Sequence, residues 1–97
     1  MKKIDFSKII VRGIDGTPYM VNNGKEPVAY DFAKTLGNAL FYTSQDIRIA
    51  EIGQKVYHNE EVELTEEDIT KIREIINNGF VPFVLLSVNP QLDEMLK

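Results

Sequence analysis

The chain has 97 residues, no cysteine and a net charge of −4, with 43% hydrophobic and 27% charged residues. That is the profile of a single folded domain over residues 1–97; it excludes disulfide staples, cysteine-ligated metal and thiol chemistry. The charge is uneven, +2 over residues 1–48 and −6 over residues 49–97, so no concentrated basic surface is offered to a nucleic-acid backbone.

Residues 2–12 are rich in β-branched side chains and read as a strand. Ile4 and Phe6 share one parity and Ile9 and Val11 the other, which calls for a bulge or bend near Ser7-Lys8. Gly13-Ile14-Asp15-Gly16-Thr17 carries the Asp-Gly signal of a hairpin turn, with Pro18–Val21 as the return strand. Residues 22–27 (Asn-Asn-Gly-Lys-Glu-Pro) read as a polar, mobile loop. Phe32, Leu36, Ala39 and Leu40 give a helix over about residues 28–42, in which Gly37 suggests close approach of a neighbouring element. Ser44 is placed to cap a second helix bearing Ile49, Ile52, Gly53 and Val56 and ending at His58-Asn59-Glu60. Residues 61–64 alternate as a short connecting strand. Thr65 through Asp68 form a capping box for a third helix bearing Ile69, Ile72, Ile75 and Ile76, and Gly79 is read as its left-handed stop. The apolar run Phe80–Val88 fits a buried strand or a buried helix; Pro82, suited to a first helical position, favours helix, with a further turn or two starting at Asn89-Pro90. The whole is an α+β domain: an N-terminal β-hairpin packed on three to four helices, with a connecting strand near 61–64.

The chemistry is sparse. The acids Glu60, Glu61, Glu63, Glu66, Glu67 and Asp68 lack the turn-making glycine of a calcium loop, and strand polarity with helix capping explains them. His58 is the single histidine and has no evident nucleophile. Ser7, Ser44 and Ser87 sit in no nucleophile elbow, and Gly13 and Gly16 make no phosphate loop. Lys2, Lys3, Lys8 and Arg12 give a mildly basic strand that reads as edge protection before nucleic-acid contact. The expectation is therefore a non-enzyme with no catalytic, cofactor or metal-ligating residue, no membrane segment and a cytoplasmic location. It would contact a protein partner or itself through the dense apolar tail (Phe80, Phe83, Leu85, Leu86) or the acids Glu63, Glu66 and Glu67.

The order "KKIDF…VRGIDG", "KTLGNALF", "AEIGQKVY" and "EVELTEEDITKIREII", over residues 2–78, resembles small accessory or assembly proteins of tailed phages, prophages and mobile elements. The resemblance rests on helix faces and a cap. It implies an accessory or assembly role and brings no catalytic residues; the apolar surplus adds the expectation of a small homo-oligomer. An alternative from the charge balance is an acidic inhibitor that fills the nucleic-acid-binding groove of another protein.

Overall fold

The computed structural model describes residues 2–97, so Met1 of the Met1–Lys3 opening lies outside it. In chain order the elements are β1 (Lys2–Ile4), a 3-10 turn (Phe6–Lys8), β2 (Met20–Asn23), β3 (Glu26–Ala29), α1 (Phe32–Thr43), α2 (Ile47–Tyr57), β4 (Val62–Leu64), α3 (Glu66–Gly79) and α4 (Pro82–Met95). The fold is α+β, as the sequence pattern implies.

The N-terminal residues are not one strand. β1 ends at Ile4, where Ile4 lies opposite Val62 of β4 in an antiparallel pair. The Asp5 carboxylate accepts the Ser7 amide at 3.0 Å, and the 3-10 turn absorbs the phase shift at the place the parity change demanded. Ile4, Phe6, Ile9 and Val11 are consequently all buried. Residues 9–12 continue extended, but α4 satisfies their backbone with side chains. Gln91 Oε1 accepts from the Ile10 amide at 2.9 Å, its Nε2 donates to the Ile10 carbonyl at 2.7 Å, and Ser87 Oγ accepts from the Arg12 amide at 2.9 Å. A side-chain amide thus does the work of a neighbouring strand.

The turn at Asp15-Gly16 forms as expected, with Gly16 at φ +82°. Its ladder is short: one bridge pairs Arg12 with Pro18, and the Val11 carbonyl accepts from Tyr19. The longer hairpin lies one segment later. β2 pairs with β3 from Met20–Ala29 to Asn23–Glu26, so the expected loop at 22–27 is instead a tight turn through Gly24-Lys25 with Gly24 at φ +78°. A glycine at the first central position fits a two-residue hairpin turn. Pro27 misled the sequence reading. It falls opposite Asn22, a position that exchanges no ladder hydrogen bond, so its missing N–H costs nothing there.

β3 claims Val28 and Ala29, which delays α1 to Phe32; the Asp31 carboxylate caps it by accepting the Lys34 amide at 3.0 Å. α2 is capped by Asp46 rather than Ser44, whose hydroxyl instead accepts the Asp46 amide at 3.0 Å. Its C-terminus closes with Asn59 at φ +61°, the Asn59 amide on the Val56 carbonyl and the Glu60 amide on that of Lys55, a Schellman arrangement. The capping box of α3 forms with Thr65 and Asp68.

Gly79 does not take the left-handed conformation and stays within α3. Phe80 leaves the helix extended (φ −122°, ψ 148°) and turns its ring onto Phe32 at 5.2 Å, and Pro82 holds Val81 extended after it. α4 starts on Pro82 as expected and then runs unbroken through Pro90, where a new start was expected. Pro90 removes the donor for the Leu86 carbonyl, which lies on the water side of the helix, where solvent can replace it.

One continuous core results, built from Phe32, Leu36 and Leu40 of α1, Ile49, Ile52 and Val56 of α2, Ile72 and Ile76 of α3, and the Val84, Val88, Leu92 stripe of α4. α1 and α2 cross at Gly37 and Gly53. A Cβ on Gly37 would sit 2.7 Å from the Tyr57 amide nitrogen and 2.8 Å from the Gly53 carbonyl oxygen. The close neighbour that Gly37 suggested is therefore α2 itself.

Candidate protein-contact surface

The buried stripe of α4 leaves the opposite face of the helix to solvent. Phe83 and Leu86 stand on that face, Leu86 at 78% exposure. Beside them the loop from Gly13 to Thr17 holds Ile14 fully clear of the molecule, and Tyr19 returns to pack its ring edge-on against Phe83 at 5.0 Å. Between loop and helix lies an open groove of about 830 Å³, lined by Ile14, Tyr19, Phe83, Leu86 and Pro90 with Arg12, Ser87 and Gln91.

The polar members of this lining are already engaged. Arg12 Nη1 donates to the Gly16 carbonyl at 2.9 Å, Ser87 Oγ holds the Arg12 amide, and Gln91 holds Ile10 at both its amide and its carbonyl. Each tethers the loop or the segment leading into it. The loop braces itself as well: the Asp15 carboxylate accepts from the amide and hydroxyl of Thr17, and the Thr17 hydroxyl holds its pKa below the usual range. Each polar side chain of the lining makes a hydrogen bond that positions the loop, and the bulk of what it leaves exposed beside them is apolar.

The expected contact residues divide. Phe83 and Leu86 line the groove, whereas Phe80 and Leu85 turn back and pack on the core. Glu63 lies 3.8 Å from Lys3, Glu67 lies 3.2 Å from Lys71, and Glu66 is exposed in the first turn of α3. The groove residues that the sequence reading passed over are Ile14 and Tyr19. An isoleucine inside a glycine-flanked turn was a usable signal, because a turn tip has nothing to bury it against.

Asp68, the last member of the acidic run, points inward and is 4% exposed. Arg48 of α2 grips it through both Nε (2.9 Å) and Nη2 (2.7 Å), and the Thr65 amide donates to it at 2.9 Å. The Arg48 hydrogen bonds lower its pKa to about 2, against desolvation, which pushes the other way. Asp46 is likewise held below the usual carboxylate range, first by the hydrogen bond from Lys71. These pairs tie α2 to α3.

His58 stacks edge-on against Tyr57 at 5.2 Å, in a smaller groove of about 200 Å³ with Phe41, Tyr42 and Gln54 but no carboxylate. Among the described residues no group of three or more His, Asp or Glu side chains is placed to hold a metal ion, and no helix is long and apolar enough to cross a membrane. Comparison of the chain with protein-family models, with curated proteins and with solved structures gives no match.

Proposed function

We propose that this protein works by protein–protein contact, with the groove between the Gly13–Thr17 loop and α4 as its working surface. The observation that carries the reading is the division of labour in the groove. Its polar side chains hold the loop in place, and Ile14 and Leu86 are left exposed beside the Tyr19–Phe83 pair. A site built for chemistry would show the reverse, with polar groups aimed into the space. An accessory or assembly role of phage type, exercised in the cytoplasm, accords with the resemblance of the helix and cap motifs.

The test uses the intact chain as bait in a lysate of its native host, compared with Leu86→Asp. The side chain is exposed, so the substitution leaves the core alone. The wild type should retain a stoichiometric protein, whether another chain or itself, and the variant should lose it. Equal retention by both removes the groove from the function.

A further inference from the structure

We infer that the occupant of this groove is a second copy of the same chain, bound about a two-fold axis. The inference rests on the protein-contact reading of the surface and specifies the partner. An isologous interface requires a patch that complements itself, and this one carries both halves of a contact side by side. Ile14 is a fully exposed apolar knob, and the open groove beside it, walled by Tyr19, Phe83 and Leu86, is an apolar hollow.

The charges follow the same pattern. Asp15 adjoins the knob. One of its oxygens, Oδ1, takes both Thr17 donors and leaves Oδ2 facing solvent, and the carboxyl is held in its ionised form. Arg12 lines the hollow and spends one Nη1 hydrogen bond on Gly16, with other guanidinium donors in reserve. Seating Ile14 of one copy in the groove of the other therefore carries an acid toward a base, twice across the axis.

Ile14, Tyr19, Phe83 and Leu86 expose on the order of 500 Å² between them, less than one side of a standard interface contributes. The β3 edge is a poor alternative. Pro27 sits where an outward N–H would be needed to add a strand.

Sedimentation equilibrium of the full chain over roughly 1 to 100 µM, the weak end for an interface of this size, is the experiment. The wild type should be dimeric. Ile14→Asp removes the knob and Leu86→Asp spoils the hollow; each should weaken association at least tenfold, with circular dichroism unchanged. Ile14→Asp mixed in equal amounts with Leu86→Lys should recover part of the dimer, because the mixed pair keeps one intact knob in one intact groove and sets Asp against Lys in the other. A dimer indifferent to both substitutions, or variants that recover nothing on mixing, would overturn the knob-and-groove contact. A monomeric wild type whose Leu86→Asp form still loses a host protein would overturn the second copy as occupant while leaving the contact reading standing. A monomer that retains no protein at all would remove both.

Discussion

Gly37→Ala should destabilise the protein by about 2–3 kcal/mol, against the ~1 kcal/mol gain that the same change brings in an ordinary helix interior. The reason is the α1–α2 crossing. The added methyl would meet the Tyr57 amide nitrogen at 2.7 Å, the Tyr57 Cα at 2.8 Å and the Gly53 carbonyl oxygen at 2.8 Å. All three are backbone atoms, so no rotamer change relieves the clash, and the two helices must separate. Separation then loosens the packing of Leu36 and Leu40 against Ile49, Ile52 and Val56. Gly53→Ala should behave similarly, because its methyl would meet Leu40 Cβ at 2.8 Å and the Gly37 carbonyl at 2.9 Å. Urea denaturation at neutral pH reads the change as a lower midpoint with an unaltered slope. A stabilised Gly37→Ala protein would show that the crossing is looser than described.

Asp68→Ala should cost about 2–3 kcal/mol at pH 7, from loss of the Arg48 pair and of half the capping box. Its pH dependence identifies the cause. The folded-state pKa of about 2 lies below the ordinary value of 3.8. The charged form is therefore favoured by folding, and its contribution, about 2 kcal/mol, is complete above pH 5. That contribution declines as pH falls through the unfolded value toward the folded one. The stability gap between wild type and variant should fall to about half near pH 3 and largely close by pH 2. Paired urea melts at pH 7, 3 and 2 measure it. A gap that stays constant with pH would assign the loss to packing rather than to the ion pair. Asp46, also held low by Lys71 and by the Arg48 amide, adds to the acid sensitivity of both proteins alike.

Much of the fold was legible because local chemistry and tertiary packing agree in the helical half. Thr65 and Asp68 announce the start of α3 three residues apart, and Ile72 and Ile76 fall on its inner face. Pro82 marks the start of α4. The misreadings come where a distant partner overrides a local signal. Val28 and Ala29 look helical until β2 pairs with them, and Pro27 looks like a strand breaker until its register is known. Ile9–Val11 looks like a laddered strand, yet its backbone partner is the Gln91 amide, 81 residues away in sequence.

The candidate surface was half legible. The apolar run at 80–88 is visible as a surplus, but only the phase of α4 assigns Phe83 and Leu86 outward and Leu85 toward the core, and only the break before it turns Phe80 onto Phe32. That phase is fixed by Val84, Val88 and Leu92. Asp68 shows the converse. Its capping role could be read from spacing, whereas its pairing with Arg48 depends on how α2 lies against α3.

The most direct measurement follows the methyl resonances of Ile14 and Leu86 in the labelled full chain as it is concentrated. If the loop knob and the helix face meet across an interface, both should shift together with protein concentration while the exposed Ile47, outside the groove, stays fixed. Stationary Ile14 and Leu86 signals alongside a moving Ile47 would place the contact elsewhere and contradict the account.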